Sequence, residues 1–164
     1  MRLSSQQLED LRSILKTAPR IKSKEEYNLK INNPGLGNTS FFAKGKHTVI
    51  HYSRVKNTLT DFIDKLTGRE VSEMTALHSG VYFKGTGNKK HVDNSDTTIV
   101  IILDMNCKGG EFLLNGVEQK NFNKSGDYVI YNGGRDEHEV LPVLEGTREV
   151  LVAWYKKPVI KSLM

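Results

Sequence analysis

Leu3, Leu8, Leu11, Ile14 and Leu15 recur at helical spacing close to the N-terminus. Ser4 or Ser5 can cap the start and Pro19 lies just past the end, so the pattern predicts one amphipathic helix. Residues 32–45 (NNPGLGNTSFFAKG) are turn-rich and read as a loop or irregular hairpin. Residues 47–52 read as a short strand. Leu59, Phe62, Ile63 and Leu66 restore the helical spacing, with Thr58 or Thr60 as cap and Gly68 as stop, which predicts a second helix. From residue 71 the pattern changes to short β-rich runs separated by Gly, Asn and Asp. The expected strands are 73–84, 97–104, 111–114, 117–122, 127–131, 137–143 and 147–155. Short strands with turn signals between them form sandwiches, barrels or jelly rolls. The runs TTIVIIL and TREVLVAWY are apolar on both faces, so those strands need cover on both sides. The two helices can supply it on one side. The expected architecture is mainly β with flanking helices, a jelly-roll-like core. One domain over residues 1–164 is expected, with 1–70 as N-terminal segment and helical support and 71–157 as β core.

Composition narrows the class without naming a chemistry. Hydrophobic residues make up 37% and charged residues 26%, as in soluble globular proteins. No stretch approaches the ~20 apolar residues of a membrane span. The N-terminus MRLSSQQLEDLRSILK is polar where a signal peptide would be apolar, so a cytoplasmic protein with no membrane partner is expected. Cys107 is the only cysteine, which excludes an intramolecular disulfide or a thiolate metal cluster within the chain. It reads as a packing residue near a strand end. The net charge of +5 and pI of about 9.2 fit either a solvated basic surface or a nucleic-acid partner. No run of five basic residues and no aromatic-rich RNA-binding signature is present.

Chemistry enters with His91-Val92-Asp93. Residues two apart on a strand project to one face, so an imidazole and a carboxylate stand side by side. Five histidines and eight aspartates give about a quarter of such a pair by chance. His138, 47 residues on, gives the pair its meaning. Two histidines and one carboxylate occupy one face of an iron(II) octahedron and leave three positions open. A structural zinc site would be closed by a fourth ligand. None is evident here, since His47, His51 and His78 are expected outside the β core. Arg148 follows His138 by ten residues, across an expected tight turn at residues 144–146. It alternates with Val150, Val152 and Trp154, so its side of the strand is apolar. A guanidinium there needs a partner, and a carboxylate held by two parallel hydrogen bonds suits it. A surface ion pair with Glu145 or Glu149 is the plainer alternative.

The ordered motifs resemble the 2-oxoglutarate/Fe(II) dioxygenases, and within them the prolyl hydroxylase branch. They run from Tyr82 to Tyr155: Gly85-Thr86-Gly87, His91-Val92-Asp93-Asn94, Gly109-Gly110-Glu111-Phe112, Ser125-Gly126-Asp127, Arg135-x-x-His138-Glu139-Val140-x-Pro142 and Arg148-x5-Trp154-Tyr155. The resemblance covers somewhat under half the chain. It implies a double-stranded β-helix, or cupin-like jelly roll, with iron at the barrel mouth. It implies His91, Asp93 and His138 as metal ligands and Arg148 as partner of the far carboxylate of 2-oxoglutarate. Ascorbate would be the external reductant. Tyr82, nine residues before His91, either lines the co-substrate pocket or packs. Where the hypoxia-sensing members carry a co-substrate-binding tyrosine this chain has residues near Ile102, so that bond is absent or comes from Tyr82 or Tyr131. Trp154 stands either beside the iron or in the core, and Arg135 either faces substrate or solvates the rim. The implied reaction is hydroxylation coupled to decarboxylation of 2-oxoglutarate to succinate. A protein or peptide prolyl residue is the implied substrate; a nucleic-acid base, a free small molecule or a catalytically silent β-sandwich binding module are the alternatives. Substrate choice would fall to the loops 32–46, 85–90 and 133–137.

Overall fold

The computed structural model describes residues 1–17, 20–21, 46–50 and 58–158, with backbone alone for 20–21 and 46–50. The turn-rich stretch 32–45 lies outside the described residues, as do 51 and 52 of the expected first strand. Helix α1 spans Ser5–Thr17. Ser4 Oγ accepts from the Gln7 N–H at 3.1 Å, and Gln7 Oε1 accepts from the Ser4 N–H at 2.8 Å. This reciprocal box satisfies two amide donors at the start of the helix. Strands β1 (Arg20–Ile21) and β2 (Lys46–Ile50) precede helix α2 (Thr58–Thr67). Gly68, at φ +68°, ends α2 and sends its N–H to Asp64 O at 2.8 Å.

The strands that follow are β3 (Met74–Phe83), β4 (Asn88–His91), β5 (Thr97–Gly109), β6 (Phe112–Leu114), β7 (Val117–Glu118), β8 (Tyr128–Tyr131), β9 (His138–Val140) and β10 (Val143–Tyr155). They form two antiparallel sheets. The larger has the order β1-β2-β3-β10-β5-β8 and the smaller β4-β9-β6-β7. This is the jelly-roll-like core that the sequence pattern predicts, in the double-stranded β-helix form that the resemblance implies. The N-terminal segment does more than support the core, because β1 and β2 extend the larger sheet.

The period of two along a strand separates two cores. On β10 the side chains of Val150, Val152 and Trp154 face the smaller sheet, with Val100 and Ile102 of β5 and Phe112 and Val140 opposite. Leu151, Ala153 and Tyr155 face the other way, with Ile99, Ile101 and Leu103, onto Leu8, Leu11, Leu15, Leu59 and Ile63 of the helices. The two all-apolar runs are therefore the central strands of the larger sheet, covered on both faces. Among the described residues no helix is long and apolar enough to cross a membrane.

Several features differ from the sequence pattern: β4 lies where no strand was expected, and β5 runs on to Gly109 rather than ending at 104. Residues 144–146 are not a turn but part of β10, where the pairing with β5 shifts register between Val143 and Glu145. The chain reverses earlier, at Leu141 and Pro142, because proline removes a ladder donor. Only Val117 and Glu118 of the run 117–122 pair as strand. Finally, His78 lies inside the β core, fully buried on β3, and His47 lies on β2 in the same sheet. Neither is outside it.

Candidate metal centre and the cavity behind it

The antiparallel pairing of β4 with β9 sets His91 directly opposite His138. Their ring centroids are 4.3 Å apart. Gly87 permits this pairing: a Cβ there would lie 2.6 Å from Val140 O on β9. Asp93 lies just past the end of β4 rather than on it, with exposed Val92 between. Its carboxylate still reaches the His91 imidazole. The Asp93 N–H donates to Gly133 O at 2.7 Å and the Gly134 N–H to Ser95 O at 2.7 Å. A Cβ on Gly133 would overlap Ser95 Oγ and Thr98 Oγ1, so the glycine pair is what lets this loop lie against the Asp93 segment.

The donor atoms converge. Asp93 Oδ1 is 3.3 Å from His91 Nε2, and Asp93 Oδ2 is 2.9 Å from His138 Nε2. One ligand atom from each of the three residues lies within 4.8 Å of the others. Behind each imidazole stands a backbone carbonyl: Lys89 O is 2.5 Å from His91 Nδ1 and Asp136 O is 2.8 Å from His138 Nδ1. A carbonyl only accepts, so each Nδ1 carries the proton and each Nε2 presents its other face to Asp93. Burial opposes ionisation of Asp93, yet the two facing imidazoles hold its carboxyl well below the ordinary range. The cluster thus gathers a carboxylate and two nitrogen donors around one point and calls for a cation there. Two imidazoles and one carboxylate suit iron(II) and leave coordination positions free.

A cavity opens behind this cluster. Its walls include Tyr82, Asn88, Phe112, Tyr131, Arg148 and Trp154, besides the three candidate ligands. Arg148 comes from the larger sheet, the histidines from the smaller, so they face each other across the interior rather than sharing one sheet face. Arg148 is 1% exposed. Its guanidinium carbon lies 5.5 Å from the ring centroids of both Tyr82 and Phe122. Its Nε and Nη2 have no hydrogen-bond partner among the described residues. Burial draws its pKa below the ordinary value, as a charge without a nearby counter-ion requires. The alternative reading of Arg148, a surface ion pair with Glu145 or Glu149, is therefore not what the structure shows. A buried guanidinium with two idle donors, facing a cation-seeking cluster, fits an acid that binds the metal at one end and Arg148 at the other.

The other sequence candidates separate. Tyr82 stands opposite Arg148 in the β3–β10 register and lines the cavity, its hydroxyl bonded by the Asn88 amide. Tyr131 lines it too, 4.9 Å ring to ring from His138. The Trp154 indole N–H donates to Asp93 Oδ2 at 3.0 Å, so this residue is at once a core aromatic and a direct support of a candidate ligand. Arg135 does not reach the cavity walls: its side chain is 75% exposed and pairs with Asp136 on the rim. Ile102 is buried in the apolar core and is not among the residues lining the cavity. Sequence reasoning missed Asn88, Phe122 and His78. An asparagine three residues before a histidine carries no signal by itself. His78 packs edge-on to Trp154 at 4.8 Å, a contact that only the sheet register creates. Loss of the Trp154 N–H is expected to cost about 10- to 100-fold in metal affinity, the range for a group that orients a ligand. Titration of metal-free Trp154→Phe and wild type with Fe(II) or Mn(II), read by calorimetry, checks it.

No protein-family model matches the chain, and no curated protein matches it. Solved structures do. The viral collagen prolyl hydroxylase vCPH of Paramecium Bursaria Chlorella virus-1, determined as a 2OG complex, is 16% identical over 95% of this chain and 92% of that one, with a TM-score of 0.59. A Pseudomonas putida prolyl-4-hydroxylase is 16% identical over 92% of this chain and 99% of that one, with a TM-score of 0.55. A 2OG-Fe(II) oxygenase family oxidoreductase of Burkholderia pseudomallei is 23% identical over 62% of this chain and 51% of its own, about half its length, with a TM-score of 0.44. The chain shares its double-stranded β-helix fold with these two prolyl hydroxylases.

Proposed function

We propose that this chain is an iron(II)- and 2-oxoglutarate-dependent oxygenase, and that its substrate is a prolyl residue in a protein or peptide. The observation that carries the oxygenase reading is Arg148, a fully buried guanidinium with idle donors across a cavity from a His-Asp-His cluster. His91 Nε2, Asp93 and His138 Nε2 would hold the metal, while Arg148 would hold the far carboxylate of the oxo acid. When bound, iron and 2-oxoglutarate would together with dioxygen supply the oxidant for C–H hydroxylation, one oxygen atom going to the substrate and one to succinate, with loss of carbon dioxide. The chain's own residues bind, orient and exclude water. The Lys89 and Asp136 carbonyls keep both Nε2 atoms turned to the metal. Trp154 holds Asp93 in place. Phe112, Val140, Val150 and Val152 line the cavity with apolar surface, which strengthens the pairing of Arg148 with a carboxylate.

The prolyl assignment is supported by the His138-Glu139-Val140-x-Pro142 and Trp154-Tyr155 motifs and by the fold shared with two prolyl hydroxylases over more than nine-tenths of the chain. Succinate release from Fe(II), 2-oxoglutarate and oxygen, measured with and without proline-containing peptides, tests both levels. Peptide-stimulated succinate with a gain of one oxygen on proline is the expected result. Stimulation by single-stranded nucleic acid or a free small molecule instead would reassign the substrate and keep the oxygenase. Absence of iron binding and of any succinate would leave a silent binding module.

A further inference from the structure

Residues 132–137 join β8 to β9 and lie in no strand. Yet they touch two of the three candidate ligands. Gly133 O accepts from the Asp93 N–H at 2.7 Å, and Asp136 O accepts from His138 Nδ1 at 2.8 Å. The segment is tied to itself. Asn132 Oδ1 accepts from the Gly134 and Arg135 N–H groups at 3.1 and 3.0 Å. The Asp136 carboxylate accepts from the Asn132 N–H at 3.3 Å and from Arg135 Nε and Nη2 at 3.1 and 3.2 Å. Its last two residues are also held by a residue distant in sequence, Asn115, at the tip of the β6–β7 hairpin. Asn115 Nδ2 donates to Asp136 Oδ1 at 3.3 Å, Asn115 Oδ1 accepts from the Glu137 N–H at 3.0 Å, and the Asn115 N–H donates to Glu137 O at 2.7 Å. Among the described residues Asn115 is the only non-glycine in the left-handed region, at φ +51°, and Gly116 follows at +79°. Leu114 pairs with Val117, so these two form the tight turn for which Asn-Gly is a preferred pair. The turn accounts for the residue type. It does not account for both atoms of the side-chain amide meeting the segment behind His138.

We propose that Asn115 is a positioning residue of the metal centre: its amide fixes residues 136 and 137, so that the Asp136 carbonyl stays behind His138 Nδ1 and Nε2 stays turned to the metal. The assignment rests on the metal-centre reading above. Each of these bonds is open to water and adds little stability alone. Their effect is geometric. A segment without strand pairing samples many backbone states, and ties to the hairpin tip remove those states before a metal arrives. Arg135 gains a role in the same clasp, as a brace on Asp136.

Asn115→Gly separates the clasp from the turn, because Gly-Gly also suits this turn while both side-chain bonds are lost. In metal-free protein, NMR follows exchange of the ring Nδ1–H of His138 and of His91. The His91 proton is held instead by Lys89 O on β4 and serves as the internal control. The His138 proton is expected to exchange about tenfold faster in the variant, the sign of easier local opening, and the His91 proton at the wild-type rate. Calorimetric titration with Mn(II) should show affinity lower by about tenfold, the low end of the range for groups that orient a ligand. The melting temperature should fall by no more than about 4 °C. Unchanged His138 exchange would make Asn115 a turn residue only and overturn the assignment, whatever the Mn(II) affinity. Faster exchange at both rings, with a large fall in melting temperature, would mean general loosening and overturn it too. Wild type that binds no Mn(II) would bring down the metal-centre reading, while the two ring protons, read without metal, would still decide the clasp.

Discussion

Arg148→Met is expected to raise the melting temperature of the ligand-free protein and to abolish 2-oxoglutarate binding. The side chain is 1% exposed, with Nε and Nη2 unpartnered among the described residues. Taking a charge out of water costs several kcal/mol, and a hydrophobic side chain of similar volume in its place often stabilises by about 1–4 kcal/mol. For a chain of this size each kcal/mol moves the melting temperature by about 2–4 °C. The ring contacts to Tyr82 and Phe122 offset part of the desolvation and are replaced by methionine–aromatic contacts. Binding goes the other way. Two charge-assisted hydrogen bonds at about 1.5–3 kcal/mol each correspond to roughly 10²- to 10⁴-fold in affinity. Thermal melts with and without metal and 2-oxoglutarate should therefore cross. The variant melts higher alone, while only wild type gains on ligand addition, by about 2.7 kcal/mol at a hundredfold excess over Kd. A variant that melts lower in the absence of ligand would mean that Arg148 is already neutralised in the fold.

His138→Ala is expected to lose metal binding by more than ~100-fold and, with it, succinate formation. Support groups behind a ligand are worth about 10- to 100-fold, and a ligand itself is worth more. Loss of His138 Nε2 leaves Asp93 with His91 alone on the imidazole side. Trp154, the only tryptophan, donates to Asp93 and so reports on the site from within. Its fluorescence should change on metal addition in wild type and stay flat in His138→Ala. Wild-type metal affinity in the variant would remove His138 from the ligand set and with it the iron-centred reading. Because His138 is buried against Phe112 and Tyr131, a melt of the metal-free variant separates loss of metal from loss of fold.

Much of the candidate site was legible before any coordinates. His138 and Arg148 stand on strands that the alternation predicts, and alternation places side chains on faces; His91 and Asp93 fall in the interval that the strand pattern left unassigned and were read from their two-residue spacing. The reading went astray where pairing, not pattern, decides. Residues 144–146 look like a turn because of Gly146, yet the β-bulge there keeps them in β10. That difference puts Arg148 on the sheet opposite His138. His78 looked peripheral because a single histidine within a strand carries no burial signal of its own. The register of β3 against β10 buries it beside Trp154.

What the sequence by itself determined is the class of fold, the two helices and the residue types of a metal and acid site, because periodicity and side-chain chemistry are local properties. What only the tertiary structure decided is which groups share one cavity. Arg148, Tyr131 and the Asn88–Tyr82 pair meet there because two sheets close face to face. Closure removes water from all of them at once, and only then does an unpartnered guanidinium become evidence for a ligand.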